Sequence, residues 1–198
     1  MKKLLIIFSI ILAGVTFAQA QGNLTALEYS IGFGSGDMAS FNGSPSFRGF
    51  TFQWQKLITD QTGVGLELGW NVFYDSKPND TYTQGATSIS GKQYRYQNQF
   101  PMLLTYNYYF KPGEKMNPFV GLGAGTMHSL RNTNMSSYTL EQTAWHFAVR
   151  PEVGFLYEFS DQTSAYVSVK YYNGFSAGDF DKTQSYFSLN LGFAFKGH

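Results

Sequence analysis

The sequence contains no cysteine, so disulfide bonds and thiolate metal ligands are excluded and the fold must be held by other forces. Charged residues are also scarce: they make up 14% of the chain, whereas soluble domains carry about 25%. After residue 20 no run approaches 18 consecutive apolar residues, which excludes a membrane-spanning helix there. If this part of the chain meets a membrane, it must do so through strands.

The N terminus has the pattern of a secretory signal peptide. Lys2 and Lys3 precede an apolar run over residues 4–13, and the segment ends on the small residues Ala18 and Ala20. We therefore predict a signal peptide over residues 1–20 and a single domain over residues 21–198. Without the two leader lysines, the chain carries 12 basic and 13 acidic residues, which argues against a nucleic-acid partner.

What the chain has in abundance is aromatic residues, at 18%, and 21 glycines, arranged in segments of period 2. Apolar and polar residues alternate in these segments, which predicts strands rather than helices. The eight segments lie at residues 27–34, 50–55, 64–74, 97–110, 119–127, 145–159, 167–172 and 187–195. In the glycine-rich fifth segment, the sequence does not decide which face points inward.

The connections between these strands alternate in length. Those after strands two, four and six are short, and those after strands one, three, five and seven are mostly longer and polar. The short connections cover residues 58–63, 111–117 and 160–164, and the long ones cover residues 35–46, 75–92, 129–143 and 174–183. Short turns at one end and long loops at the other are typical of outer-membrane barrels.

Alternation alone leaves two interpretations, because a soluble barrel or sandwich would bury the aromatic face and a membrane barrel would expose it to lipid. The lumen of an eight-stranded barrel is just wide enough to be filled by side chains. The apolar face includes most of the 19 phenylalanines and all three tryptophans, which would not fit there. We therefore predict an all-β fold, a closed eight-stranded antiparallel up-and-down transmembrane β-barrel, with small and polar residues lining the lumen.

Three segments support this interpretation: FPMLLTYNYYF at 100–110, NPFVGLGAG at 117–125 and YFSLNLGFAF at 186–195. With them the chain resembles the small outer-membrane β-barrel proteins, which share the architecture of OmpX and of the OmpA membrane domain. The resemblance covers essentially the whole chain after the leader. It implies location in the outer membrane, insertion by the barrel-assembly machinery, and contact with outer-membrane lipid and lipopolysaccharide.

An inward polar face collects six charged side chains in the lumen, which are Glu28, Glu67, Arg150, Glu152, Glu158 and Lys170. Charges withdrawn from water persist when they are paired, so we interpret this set as a buried salt-bridge network. The alternative is a gated ion path in which the pairs exchange partners.

A second set of residues, His128, Glu141 and His146, lies around the third long connection and forms a candidate site at the external rim. Together with Ser129 it offers the residue types of a nucleophilic triad, and the outer-membrane lipid A deacylases resemble this barrel. However, His128 and Ser129 are adjacent and must point to opposite faces of a strand. The three histidines show no metal-binding spacing, so we predict no metal and no cofactor.

Three functions remain open. The first is a monomeric, non-enzymatic barrel that displays four external loops for envelope integrity, adhesion or binding of a partner that the sequence does not identify. The second is a lipid A-modifying enzyme, and the third is a narrow channel for small solutes.

Overall fold

The computed structural model describes residues 22–84, 87–135 and 138–197, with side chains described outside residues 80–90 and 138. The predicted signal peptide lies outside the described residues. The described strands are β1 Asn23–Ser35, β2 Gly49–Leu57, β3 Thr62–Gln84, β4 Thr87–Tyr109, β5 Met116–Met135, β6 Tyr138–Ser160, β7 Thr163–Gly174 and β8 Gln184–Gly197, with one helix, α1 Asp37–Phe41. Within these ranges, no helix is both long enough and apolar enough to cross a membrane.

The eight strands form a closed barrel. Each strand pairs antiparallel with the next one in the chain, and β1 pairs with β8 from Asn23↔Gly197 to Ser35↔Ser185. Closure matters because backbone N–H and C=O groups in hydrocarbon have no water to bond and must be satisfied between strands. The predicted fold class is therefore confirmed.

Side-chain exposure follows the alternation in the sequence. On the outer wall, Leu104, Leu122 and Phe147 are 68%, 64% and 59% exposed, whereas Glu67 and Arg150 in the lumen are fully buried. An outer wall of large apolar side chains is what a lipid environment requires. The predicted assignment of the apolar face to lipid agrees with the structure.

The structure also fixes the facing of the fifth strand, which the sequence left open. Gly121 and Gly123 point into the lumen, and Leu122 points outward. A Cβ atom on Gly123 would lie 3.1 Å from Leu103 Cδ1 and 3.3 Å from Arg150 Nε. The glycines of β5 therefore make room for the large lumen side chains of the neighbouring strands.

The prediction of a long loop is wrong at two of the four places, because residues 75–92 and 129–143 are mostly strand. β3 pairs with β4, and β5 with β6, out to the ends of these strands. β4 also pairs with β5 as far as Gln93↔Met135, so the hairpins join into one sheet beyond the barrel wall. We call it the projecting sheet, which comprises residues 74–84, 87–96, 132–135 and 138–141.

The lumen also differs from the predicted lining of small and polar residues, because buried aromatic rings cross it in two layers. The periplasmic layer contains Tyr109, Phe119 and Tyr166, and the external layer contains Phe73, Tyr172 and Tyr186. Each layer fits because a glycine faces it: a Cβ on Gly154 would lie 2.8 Å from the Phe119 ring, and one on Gly32 would lie 2.7 Å from the Phe73 ring.

Candidate functional site

A cluster of five charged side chains lies at mid-height in the lumen, between the two aromatic layers. Glu28 comes from β1, Glu67 from β3, Arg150 and Glu152 from β6, and Lys170 from β7, and all five are buried. Arg150 pairs with Glu152 and, at 2.9 Å, with Glu67. The ammonium of Lys170 lies 2.8 Å from Glu28, 2.9 Å from Glu67 and 3.7 Å from Glu152. The structure thus brings together five of the six predicted lumen charges.

Tyrosine hydroxyls satisfy further acceptor positions of these carboxylates. The Tyr172 hydroxyl donates to Glu67 Oε1 at 2.9 Å, and the Tyr166 hydroxyl donates to Glu152 Oε1 at 2.8 Å. Because Tyr166 and Tyr172 belong to the two aromatic layers, the charges are held from below and from above. These hydrogen bonds restrain the carboxylates of Glu67 and Glu152 from both sides of the cluster.

The cluster holds three carboxyl groups but only two cations. A buried charge without a partner is strongly unfavourable, so we expect one carboxyl group to carry a proton and leave the cluster neutral. Glu28 contacts Lys170 as its one cation, whereas Glu67 contacts both Lys170 and Arg150. We therefore assign the proton to Glu28.

Glu158 is the predicted lumen charge that does not join the cluster. It lies on β6 six residues beyond Glu152, about 20 Å along the strand, at the periplasmic end of the barrel. It is only partly buried, and within the described residues it forms no ion pair with the cluster. A charge at the open end of a barrel is hydrated and needs no partner.

Helix α1 closes the external mouth of the barrel through a second polar group. Arg131 Nη2 donates to Asp37 Oδ2 and to Gln184 Oε1, at 3.0 Å in both cases. The Arg131 guanidinium also lies over the rings of Phe41, at 4.1 Å, and Phe180, at 4.9 Å. Partial burial alone raises the pKa of Asp37, but the hydrogen bonds from Arg131 and Gln184 outweigh it and lower the pKa below its usual value.

Arg131 was not among the predicted lumen residues because residues 129–143 were predicted to form a loop. The signal was present, since Ser129, Arg131 and Thr133 continue the inward positions of the fifth strand.

The candidate rim site does not assemble. The His128 ring points outward, 4.7 Å from the Trp145 ring, and Nε2 lies 3.0 Å from Thr143 Oγ1. His146 points into the lumen, where Nδ1 lies 2.7 Å from the backbone oxygen of Phe175. The two histidines therefore lie on opposite faces of the barrel wall. They are nevertheless near each other along the strands, because His128 pairs in register with Trp145, the residue before His146.

The remaining members of the rim set also lie apart. Glu141 is exposed on the projecting sheet, and Ser129 is buried in the lumen, where its hydroxyl donates to Gln99 at 2.6 Å. A nucleophile, a base and an orienting carboxylate must lie within hydrogen-bond distance of one another, and these residues do not. In the described part of the chain, no three His, Cys, Asp or Glu side chains are grouped so that they could hold a metal ion.

Comparisons with known proteins agree with the architecture. The family model described as outer membrane protein beta-barrel domain matches residues 7–195. A comparison with curated proteins finds no match. Among solved structures, Neisserial surface protein A is similar, with a TM-score of 0.57 and 11% identity over 89% of this chain and 98% of that chain.

Two further structures have comparable likeness. OprG from Pseudomonas aeruginosa has a TM-score of 0.54 and 18% identity over 90% of this chain and 97% of that chain. The outer membrane protease OmpT from Escherichia coli has a TM-score of 0.51 and 12% identity over 75% of this chain and 63% of that chain. At these identities the likeness concerns the fold alone. The chain belongs to the outer membrane protein β-barrel domain family and is located in the outer membrane.

Proposed function

We propose that this barrel is non-enzymatic and presents its projecting sheet and external loops for adhesion or partner binding. The observation that carries the proposal is the length of the ladder between β4 and β5. Their pairing runs without interruption from Tyr109↔Phe119 to Gln93↔Met135, which is 17 pairs. About 9 to 11 residues of a tilted strand cross a bilayer, so roughly six pairs stand outside it.

The outward face of the projecting sheet has the composition of a binding surface. The rings of Tyr74 and Tyr96 lie 4.9 Å apart, and the Lys92 ammonium lies 5.1 Å from the centre of the Tyr94 ring. Tyrosine offers a large contact area with little conformational entropy to lose, which is why binding surfaces are rich in it. We place partner contacts on this face.

The edge of the sheet is a less favourable contact. β3 carries Lys77 and Pro78 where it runs beyond the barrel wall. Lysine and proline on an edge strand discourage pairing with another strand. The proposal is therefore side-chain recognition on the face of the sheet rather than strand addition at its edge.

Two further features favour this proposal over the channel and the enzyme. The aromatic layers lie across the lumen on both sides of the charge cluster, so a hydrated path would require both to open. His128, Glu141 and His146 do not converge, and the likeness to the protease OmpT is a likeness of fold.

Trimming the first hairpin tests the proposal. Phe73 and Gln97 are paired, so residues 74–96, which include the tyrosines of the proposed contact face, can be replaced by Asn-Gly, which forms a two-residue type I′ turn between paired residues. Cells producing the wild-type barrel, the trimmed barrel or neither are compared for adherence to immobilised glycans and extracellular-matrix proteins. A difference in gel mobility between boiled and unboiled samples verifies that the trimmed barrel is folded.

We expect adherence with the wild-type barrel and its loss with the trimmed one. Lipid A masses should be the same in all three strains, and the purified barrel should give no stepwise conductance in planar bilayers. Equal adherence of all three strains would contradict the proposal, a changed lipid A mass would favour the enzyme, and stepwise conductance would favour the channel.

A further inference from the structure

A small pocket lies outside the barrel at the base of the projecting sheet, where β2 ends and β3 becomes an edge strand. The outermost pair of the two strands is Gly49↔Asn71. Beyond it, residues 44–48 lie against residues 72–76 of β3, and a cavity of about 270 Å³ opens between them. Trp70 marks the headgroup level of β3, and the pocket begins two residues beyond it. The pocket therefore faces the medium outside the cell.

The loop side of this pocket is fixed against its neighbours. Ser46 exchanges backbone hydrogen bonds with Gly32 of β1, at 2.7 and 2.8 Å. The Ser46 hydroxyl donates to the backbone oxygen of Val72 at 2.5 Å. The Tyr29 hydroxyl donates to the backbone oxygen of Phe47. A site whose walls are already ordered loses little conformational entropy when a ligand binds.

Arg48 brings an exposed guanidinium to the pocket. Its backbone is engaged, since Val72 N donates to Arg48 O at 2.9 Å and Arg48 N donates to Ser46 Oγ at 3.3 Å. Its side chain forms no hydrogen bond or ion pair in the part of the chain that the structure describes, whereas Arg131 and Arg150 both pair with acidic residues. A guanidinium binds a carboxylate through two parallel N–H···O bonds. Arg48 is therefore free to hold an anionic ligand.

The other charged side chain in the pocket, Asp75, already has its partners. Its Oδ2 atom lies 3.3 Å from the Lys77 ammonium and accepts a hydrogen bond from Gly43 N at 3.3 Å. Its Oδ1 atom accepts one from Ser76 N at 2.9 Å. Because Lys77 balances the charge of Asp75, Arg48 gives the pocket a net positive charge. A carboxylate group fits this charge better than an ammonium group.

The rest of the lining suits a sugar. The rings of Phe47 and Tyr74 are 63% and 37% exposed and both line the pocket. Ser44 and Ser76 lie beside them. Aromatic rings offer flat apolar surfaces, and hydroxyl groups both donate and accept hydrogen bonds, which matches the two kinds of surface on a sugar ring. Pockets for larger ligands measure about 300 to 1,000 Å³, so this one has room for a single sugar.

We propose that this pocket binds a terminal, carboxylate-bearing sugar of an extracellular glycan, with the carboxylate on Arg48 and the sugar ring against Phe47 and Tyr74. The inference rests on the proposed function, because it names the class of ligand that the base of the projecting sheet recognises. Hexuronic acids and nine-carbon sialic acids share this chemistry, and the test separates them.

The test uses the full chain in nanodiscs of zwitterionic phospholipid without lipopolysaccharide. Binding is measured to surfaces that carry polymer-linked glucuronic acid or N-acetylneuraminic acid, with glucose and the methyl ester of N-acetylneuraminic acid as the neutral counterparts. The main variant is Arg48→Gln, and the matched control is Lys56→Gln, which removes a cation at the periplasmic end of β2. Phe47→Ala removes a ring without changing charge. The difference in gel mobility between boiled and unboiled samples verifies that each variant is folded.

We expect the wild-type and Lys56→Gln proteins to bind at least one acidic sugar about tenfold more tightly than its neutral counterpart. The acidic sugar that is preferred identifies the kind of glycan. Arg48→Gln should bind the acidic and neutral forms equally weakly. Phe47→Ala should bind both forms severalfold more weakly than the wild type and keep the preference for the acidic one.

The inference is overturned if neither acidic sugar is preferred by the wild type or if Arg48→Gln keeps the preference. Displacement of the polymer by acetate at the same concentration as by the free acidic sugar would also overturn it, because the pocket would then be a site for any carboxylate. Cell adherence separates this inference from the function on which it rests. Adherence that is lost by the trimmed barrel but kept by Arg48→Gln contradicts the acidic sugar alone, whereas equal adherence with and without the barrel contradicts the proposed function.

Discussion

Replacing Lys170 with methionine removes the cation that three buried carboxyl groups share. Lys170 Nζ lies 2.8 Å from Glu28 and 2.9 Å from Glu67, and these contacts disappear in the variant. Methionine has a similar length and an apolar end, so the loss of packing volume is small. Removing one partner of a buried ion pair costs about 3 to 5 kcal/mol, and we expect a loss of this size in the free energy of unfolding.

A second substitution tests the charge balance directly. Glu28→Gln replaces the carboxyl group to which we assign the proton with an uncharged group of the same shape, so alone it should cost less than about 1 kcal/mol. In the Lys170→Met background the protonated Glu28 is likewise uncharged, so the same substitution removes no negative charge. The double variant should therefore differ from Lys170→Met by less than about 1 kcal/mol in the free energy of unfolding.

Unfolding by urea in phospholipid vesicles, followed by gel mobility, measures all four proteins. With a slope of about 2 to 3 kcal/mol per molar urea, the Lys170→Met loss lowers the midpoint by roughly 1 to 2 M. A control substitution outside the cluster, Lys182→Met at the exposed external loop, should leave the midpoint unchanged. If the double variant is more stable than Lys170→Met by about 2 kcal/mol or more, Glu28 carries a negative charge in that variant and the assignment of the proton to it is wrong.

Three further predictions concern the outer wall, the lumen and the external mouth. Leu122→Arg places a cation on the lipid face and should lower the folded fraction after insertion, at a cost of about 2 to 4 kcal/mol, whereas normal insertion would contradict the lipid-facing assignment. Gly121→Val forces a side chain against Asn107 and should lower the urea midpoint by an amount equivalent to about 1 to 3 kcal/mol; an unchanged midpoint would show that the lumen adapts. The pKa of Asp37 is lowered from 3.8, so its contribution to docking of α1 is complete above that pH and is lost as the pH falls through the lowered value. Hydrogen exchange of the α1 amides should therefore rise, relative to intrinsic rates, at low pH in the wild type, whereas in Asp37→Asn it should be raised at neutral pH and change little.

The number of strands and the face that each presents to lipid could be predicted because both depend on local alternation. In β6, for example, Trp145 and Phe147 alternate with His146 and Arg150 on the opposite face. The size of the aromatic set places the apolar face outside, and closure follows because a sheet in lipid can have no open edge. The projecting sheet could not be predicted in the same way. Beyond the membrane both faces of a strand meet water, so residues 75–92 lose the contrast between apolar and polar positions that marks a strand.

The lumen could be predicted only in part, because its packing joins residues that are distant in the sequence. Phe119 lies in the lumen because Gly154, 35 residues later, provides the space for its ring. Similarly, Arg131 is buried because α1 brings Asp37 to it from the other end of the chain. The charge cluster was easier to predict, since buried charges of opposite sign have to pair wherever the register places them. Glu158 was included wrongly because alternation gives the face of a residue but not its distance from the water at the barrel end.

The charged lumen cluster has a consequence for secretion as well as for stability. Replacing buried ion pairs with apolar side chains of similar volume is often neutral or stabilising, so stability alone does not require the cluster. If His146, Arg150, Glu152 and Glu158 were apolar, residues 145–159 of β6 would form an apolar run of 15 residues. That length is close to the roughly 17 residues that can span a bilayer as a helix. Such a segment risks being retained in the inner membrane on its way out. Charges that pair once the barrel closes keep β6 polar enough to cross the inner membrane and still allow its charges to be paired in the lumen.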